Sequence, residues 1–368
     1  MKIYLQSVFE PWPIESESVQ AICTSPPYFA LRNYDIPDVI IGGDKDCKHE
    51  FVLQDMELGH ENRQGKGSNT LNQSTTSHVA VHGKKVGKQG LCVHCNAWQG
   101  QYGLEPTPQM YVEHTLLWAK EAWRVLRNDG MFFLNIADSY GSVFSFADNK
   151  YKAMAGSESC FKPSINKSKC QFLIPHRVAI ALVDAGWTLR NTIIWDKTNA
   201  MPESVTDRFS KKYEYVFMFT KQKKYYFNLN AVLEDFAKSS YGRGKAACNS
   251  IKPEMGNKIG GYITSKKQKE WHRKLLSGEL KGKNSGDVWR IPTQRSSEKH
   301  YAMFPERLVE RMIKCSTKAK DIVLDPFCGS GTTLKVALVL NRRSIGIDLG
   351  YRNLQNKKTS IIQRYIYE

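Results

Sequence analysis

The chain has 368 residues, 41% of them hydrophobic, and a formal charge of +17 at neutral pH, enough for one large domain or one domain with a sizeable insertion. That composition excludes a disordered chain. No apolar run approaches the roughly 20 residues that cross a bilayer, and nine scattered cysteines do not form a secreted disulfide framework. Met1-Lys-Ile-Tyr-Leu-Gln6 lacks a signal-peptide design, so the expectation is a cytoplasmic protein with reduced thiols, and a pI near 9.4 favours a polyanionic partner.

Residues 3 to 24 read as strand, short helix, strand: Ile3-Tyr-Leu5 is apolar, and Val19-Gln-Ala-Ile-Cys23 is a second apolar run that delivers Ser25-Pro-Pro-Tyr28. Ligands of open α/β sheets bind at the carboxyl ends of strands, which would place Ser25, Pro26, Pro27 and Tyr28 at a site. The two prolines fix φ and carry no N–H, so the neighbouring carbonyls stand as rigid acceptors suited to an exocyclic amine. From residue 42 the composition changes. Gly59 to Gly90 is rich in Gly, Ser, Asn, Gln, His and Lys and reads as a flexible excursion that buries no core. Cys47-x-His49 and Cys92-x-x-Cys95 stand at its two ends, a ligand set for tetrahedral zinc, with His94 a competing ligand and metal-free reduced thiols the alternative.

Apolar residues at 112, 116, 117, 119, 123 and 126 recur close to the helical period, with Thr107-Pro108 as the start and Asn128-Asp-Gly130 as the end. Gly130 to Ile136 reads as a buried strand, His176 to Ala185 as a helix stopped at Gly186, and Leu189 to Trp195 and Tyr213 to Thr220 as strands. Such alternation implies a mainly parallel sheet covered on both faces. Phe144 to Cys170 is polar and reads either as a loop beside the site or as a plain surface connection. Residues 221 to 300 hold 18 Lys or Arg against 7 Asp or Glu, interleaved with Tyr225, Tyr226, Tyr241, Tyr262, Trp271 and Trp289. That is the pattern of a nucleic-acid face, though a solvated basic surface gives the same count. Ser285 to Pro292 and Lys299 to Leu308 lead into a helix through Ile313. Ile322-Val-Leu324, the break at Gly329 and Gly331, the packed-helix composition of Thr332 to Leu340 and Ser344 to Leu349 read as strand, glycine turn, helix, strand. Glycines at such a turn let backbone N–H groups approach a ligand, and Asp348 has the spacing of a ribose acceptor.

Ser25-Pro26-Pro27-Tyr28 and Phe327-Cys328-Gly329-Ser330-Gly331 together resemble the (Asp/Asn/Ser)-Pro-Pro-(Tyr/Phe) tetrad and the Phe-x-Gly-x-Gly loop of the amino-group DNA methyltransferases that use S-adenosylmethionine. Tetrad first and loop last is similar to the circularly permuted β-type order. The resemblance covers about residues 3 to 30 and 100 to 350, including Asn135 to Tyr140, Ile194-Trp-Asp-Lys197, Glu214 to Phe219, and His300, Ala302, Phe304 and Pro305. It implies a Rossmann-like α/β fold, mainly parallel, with helices on both faces. Residues 1–41 and 96–220 would be its catalytic half, 42–95 an inserted loop, 221–286 a target-recognition region and 287–368 the cofactor half.

The implied roles follow the motifs. Ser25 Oγ and the Pro26 carbonyl accept from the target amino group, Pro27 completes the rigid turn, and Tyr28 stacks on a base rotated out of duplex DNA. Phe327 packs on the adenine of the cofactor, Asp325 with the Gly329 and Gly331 backbone holds its methionine part, and Asp348 holds its ribose. Cys328, Thr332, Phe304 and Pro305 complete the implied cofactor set. Ser at the first tetrad position resembles the N4-cytosine group, whereas Asp is usual among N6-adenine enzymes. Cytosine N4 is therefore the reading, adenine N6 the alternative, and an inactive DNA-binding protein or an RNA or protein methyltransferase the more distant ones. A covalent cysteine route does not fit, since Cys23 precedes the tetrad and Cys328 lies in the loop. The family commonly serves restriction-modification systems, which raises a cognate restriction endonuclease as a partner.

Overall fold

Short apolar runs separated by helical stretches build the expected sheet. The computed structural model describes residues 1–31, 34, 36–57, 85–141, 169–236, 239, 266–294 and 305–350. Its strands are β1 Lys2–Tyr4, β2 Val19–Thr24, β3 Val39–Ile41, β4 Phe51–Glu57, β5 Lys85–Cys92, β6 Trp98–Gly100, β7 Leu126–Ile136, β8 Thr188–Asp196, β9 Tyr213–Thr220, β10 Val288–Arg290, β11 Ile322–Asp325 and β12 Arg343–Ile347. The helices are α1 Pro108–Val125, α2 Ile174–Asp184, α3 Lys266–Leu276, α4 Glu306–Ser316 and α5 Thr332–Val339. The main sheet has the order β1-β12-β11-β2-β7-β9-β8-β10. Every pairing in it is parallel except the two that β9 makes with β7 and β8.

Both faces are covered, as the period of two along β7 requires. Phe132, Leu134 and Ile136 join the core with Trp118 and Ala122 of α1 and Val178 and Leu182 of α2. Met131 and Phe133 point the other way, into a core with Leu308 and Met312 of α4 and Val336 of α5. Phe132 and Phe133 are both fully buried, and side chains of that size contribute roughly 1.5–3 kcal/mol each when removed from water.

Thr107 caps α1 by accepting from Met110 N at 3.1 Å, and Pro108 sits where a missing N–H costs nothing. The expected break at Asn128-Asp-Gly130 is not a separate turn. Buried Leu126 already pairs with Val19 and Met131 with Ala21, so residues 127 to 130 form a bulge inside β7. The short helix expected between β1 and β2 is absent: residues 5 to 18 are turns and bends. Pro11 and Pro13 remove two N–H donors from that stretch, and Arg124 holds it instead by donating to the carbonyls of Trp12 and Ile14, both at 2.8 Å.

A second, antiparallel sheet of order β3-β6-β5-β4 departs from the expected flexible excursion. Residues 85 to 90, assigned to that excursion on composition, belong to β5, which pairs with β4 and β6. A strand paired on both sides satisfies its polar backbone whatever its side chains. Most of the excursion, 59 to 84, lies outside the described residues, as do 144 to 168 of the polar stretch beginning at Phe144. β10 pairs with β8 at the sheet edge opposite β1, so Val288–Arg290, expected to begin the C-terminal half with β11 and β12, stands beside β8 instead. Its Trp289 and Ile291 are core residues, which removes Trp289 from the set of surface aromatics.

Candidate active site

The parallel neighbours β2 and β11 carry the two ends of the chain to one sheet edge. Thr24, the last residue of β2, donates through Oγ1 to Asp325 Oδ1, the last residue of β11, at 2.6 Å across 301 positions of sequence. One cavity opens beyond this junction. Ser25, Pro26, Pro27 and Tyr28 line it from one side, and Asp325, Phe327, Cys328, Gly329, Thr332 and Asp348 from the other.

Asp325 is a strut for the glycine loop. Its Oδ1 also accepts from Phe327 N at 3.1 Å, and its Oδ2 accepts from Thr333 Oγ1 at 2.7 Å. Burial pushes its carboxyl up to about 6, against the hydrogen bonds from Thr24 and Thr333. Gly329 N donates to Asp348 Oδ2 at 2.8 Å, so the loop is tied to the end of β12. Gly331 has φ 80°, and a Cβ there would meet nothing within 4 Å. Gly331 stands just before α5 but does not line the cavity, and its N–H donates to the Cys328 carbonyl at 2.7 Å, so the cavity is lined at the start of α5 by Thr332 and Thr333. Phe327 is half-buried, stacked on Tyr102 at 5.8 Å and edge-on to Trp118 at 5.2 Å. An aromatic ring, an acidic residue at the next strand end and the start of a helix thus border one cavity.

Three of the implied cofactor residues stand differently. Cys328 turns its sulfur away toward Gly346, where a Cβ would fall 2.7 Å from Sγ, and its N–H donates to the Ile347 carbonyl at 3.1 Å, so its part is packing. Pro305 is buried as the residue before α4, its carbonyl accepting from Leu308 N at 3.0 Å, and it does not line the cavity. A proline with φ −65° fits the extended residue just before a helix, which gives Pro305 a place in the fold without a ligand. Phe304 lies outside the described residues.

The tetrad sits in a hydrogen-bond chain that sequence reasoning did not find. Tyr28 is 8% exposed. Its hydroxyl donates to Glu214 Oε2 at 2.6 Å and accepts from Ser25 Oγ at 3.0 Å and from Asn135 Nδ2. Asn135 Nδ2 donates to Glu214 Oε2 as well, at 2.6 Å, and the Lys197 ammonium pairs with Glu214 Oε1. Burial acts to raise the Glu214 carboxyl, but the Lys197 charge and the bonds from Lys197, Tyr28 and Asn135 win and hold it below the usual carboxylate range. Burial, then the Glu214 charge, pushes the Tyr28 hydroxyl well above its ordinary value, so it remains a neutral phenol. A phenol has a single proton. With that proton on Glu214, Tyr28 can only accept from Ser25, and the lone pairs of Ser25 Oγ are left for the cavity.

Tyr111 Oη donates to the Pro27 carbonyl at 2.8 Å. That bond takes up the Pro27 carbonyl, so Ser25 Oγ and the Pro26 carbonyl are among the acceptors left to the tetrad. Lys197, Glu214 and Asn135 lie in segments that carry the family resemblance, yet no local pattern pairs residues 186 positions apart. The four candidate metal ligands also come together: the ligand atoms of Cys47, His49, Cys92 and Cys95 lie within 4.8 Å of one another. In the basic region Tyr225 accepts from Arg190 Nε at 3.1 Å and Trp271 is 41% exposed, edge-on to Phe236; Tyr241 and Tyr262 lie outside the described residues. No helix among the described residues is long and apolar enough to cross a membrane.

This geometry is that of an amino-group methyltransferase, and comparison with known proteins agrees. The DNA methylase family of N6- and N4-methylating enzymes matches residues 19–356. The chain belongs to that family and is a DNA methyltransferase dependent on S-adenosylmethionine. It is 34% identical over 273 residues to the Type II methyltransferase M.Cfr9I of Citrobacter freundii, covering 72% of this chain and 77% of that one. To the Type II methyltransferase M.SmaI of Serratia marcescens it is 31% identical over 268 residues, covering 72% and 78%. Among solved structures, the cytosine-N4-specific PvuII DNA methyltransferase shares the fold at a TM-score of 0.50 and 15% identity, with 94% of this chain and 81% of that one aligned.

Proposed function

We propose that the protein methylates the N4 amino group of cytosine at a specific site in duplex DNA, on a base rotated out of the stack, as the methyltransferase of a restriction-modification pair. One observation carries this reading: the Glu214–Tyr28–Ser25 chain presents a neutral hydroxyl oxygen as an acceptor in the cavity that also holds the glycine loop. When bound, S-adenosylmethionine supplies an electrophilic methyl group on a sulfonium centre. Ser25 Oγ and the Pro26 carbonyl each accept one N–H of the target amine, which turns its nitrogen toward that centre. Proline rigidity keeps the two acceptors in register, so much of the rate gain comes from alignment. Tyr28, fixed by its hydroxyl, stacks on the extruded base. Phe327 packs on the adenine, Asp348 accepts from the ribose, and the turn at Ser330 and Thr332 leading into α5 receives the methionine part. Asp325 shapes that loop through Thr24 and Thr333. The basic stretch 221–286 supplies the phosphate contacts that hold the duplex in place. A cognate endonuclease cutting the same site completes the pair, in line with the Type II methyltransferase names of the relatives.

Long-read sequencing of DNA from cells that express the protein tests base and site together. The expected result is N4-methylcytosine at one short recurring sequence. N6-methyladenine at that sequence would overturn the choice of base, and unmodified DNA would overturn the activity.

A further inference from the structure

We propose that Cys47, His49, Cys92 and Cys95 bind a structural zinc ion that anchors one wall of the cofactor cavity. Cys47 Sγ and Cys92 Sγ are 3.8 Å apart, and Cys95 Sγ is 3.4 Å from His49 Nδ1. With Zn–S near 2.3 Å and Zn–N near 2.0–2.1 Å, tetrahedral coordination sets two sulfurs about 3.8 Å apart and a sulfur and a nitrogen about 3.6 Å apart. Both separations fit a three-cysteine, one-histidine site, and all four ligand atoms lie within 4.8 Å of one another. All three cysteines are free thiols. His94 is not part of the cluster: its ring is turned to Glu50 Oε2 at 3.5 Å, and its side chain is 57% exposed.

The backbone on both sides is shaped for the site. Asn96 adopts φ 58° and donates to the Cys92 carbonyl at 3.1 Å, while Cys92 N donates to the Ala97 carbonyl at 2.8 Å. This tight turn sets Cys92 and Cys95 on one side. Opposite, Cys47 N donates to the Asp44 carbonyl at 3.2 Å. Gly43, with φ 73°, passes so close that a Cβ would fall 2.5 Å from the Ala97 Cβ and 2.8 Å from Cys95 Sγ.

The cluster closes the insertion where it rejoins the catalytic domain. β3 runs in just before Cys47, and β6 runs out just after Cys95, paired to β3. Ile36 and Val39 line the cavity ahead of the cluster and Tyr102 lines it beyond. Gln101 Nε2 joins these stretches by donating to the Ile36 carbonyl at 2.9 Å, and Gly103 accepts from Ala30 N at 2.8 Å, two residues past the tetrad. A metal holding Cys47 to Cys92, 45 positions apart, therefore fixes both margins of the wall that carries Tyr102 against Phe327.

Metal content of the untagged full chain, purified without chelator, is the first test. About one zinc per chain is expected in the wild type and in Cys170→Ser, and less than about a tenth of that in Cys92→Ser/Cys95→Ser. Wild-type protein stripped of metal and reloaded with Co2+ covers a double variant that does not fold. A tetrahedral thiolate site then shows intense visible d–d bands and thiolate-to-cobalt charge transfer. Chelating the zinc is expected to weaken S-adenosylmethionine binding several-fold by calorimetry. Zinc retained in the double variant, or cobalt spectra without charge transfer, would overturn the site, and cofactor affinity unchanged by chelation would overturn the anchoring role. None of these readings depends on which base is methylated.

Discussion

Glu214→Gln tests the hydrogen-bond chain most sharply. Glu214 does not line the cavity, so it acts through Tyr28 and Ser25 as a positioning residue. In the wild type the carboxylate can only accept, which forces the direction Ser25 to Tyr28 to Glu214. A glutamine amide can instead donate to Tyr28, which lets Tyr28 donate to Ser25 and turns the Ser25 proton into the cavity, against the N–H of the target amine. Hydrogen bonds to charged groups contribute about 1.5–3 kcal/mol and neutral ones about 0.5–1.5 kcal/mol, so losing the charge and the direction together costs about 3 kcal/mol. At 1.36 kcal/mol per tenfold, that is roughly a hundredfold in kcat. Methyl incorporation into duplex DNA at saturating cofactor gives kcat, and calorimetry gives the affinity for S-adenosylmethionine. The affinity is expected to stay within about twofold, which shows that the variant is folded. A Glu214→Gln protein with wild-type kcat would show that the direction of this chain does not govern catalysis.

Tyr28→Phe keeps the ring and removes the hydroxyl, and it leaves the Glu214 charge with Asn135 and Lys197; kcat is expected to fall by about as much as in Glu214→Gln, while Ser25→Ala falls further because an acceptor itself is lost. Gly331→Ala meets open space at the Cβ but keeps φ 80°, so it should cost about 1–2 kcal/mol of stability by denaturant unfolding, with no steric clash to add to the backbone strain. The Asp325 carboxyl is raised from 3.8 to about 6, so the folded chain holds this proton more tightly than the unfolded chain. Stability from this group is then full below its unfolded value and is lost as pH rises through about 6, by at most roughly 3 kcal/mol. The cofactor-free protein should therefore lose stability relative to Asp325→Asn between about pH 4 and about pH 7, and parallel pH curves for the two proteins contradict the assignment.

The elements with a clear period were legible. Ile322–Asp325, the glycine break and Thr332–Val339 stand where their residues place them, and Ile174–Asp184 begins only two residues ahead of its expected start, set by Pro175. Local stops misled. Asn128-Asp-Gly130 carries turn chemistry, but burial of Leu126 in the sheet overrides it and makes a bulge. Between β1 and β2 a short helix was expected, yet two prolines and the reach of Arg124 settle the stretch as turns. Lys85 to Gly90 has no apolar period to read, since its pairing comes from β4 and β6. In the site, the motif residues were visible as motifs, whereas the partners that give them direction were not. Glu214, Lys197 and Asn135 sit on or beside neighbouring strands, and only the order β7-β9-β8 brings them together around Tyr28. Cys328 and Pro305 show the opposite case, residues of the motifs whose own contacts are with the fold.

Residues from the two ends of the chain share one cavity, and the activity predicted there is transfer of a sulfonium methyl to an amino nitrogen of DNA. Mass spectrometry of nucleosides from duplex DNA incubated with the protein and methyl-labelled S-adenosylmethionine measures this directly. Label in N4-methylcytosine, lost with Ser25→Ala, is the predicted result. Label at carbon 5 of cytosine, or unlabelled DNA from a protein that binds the cofactor, would contradict it.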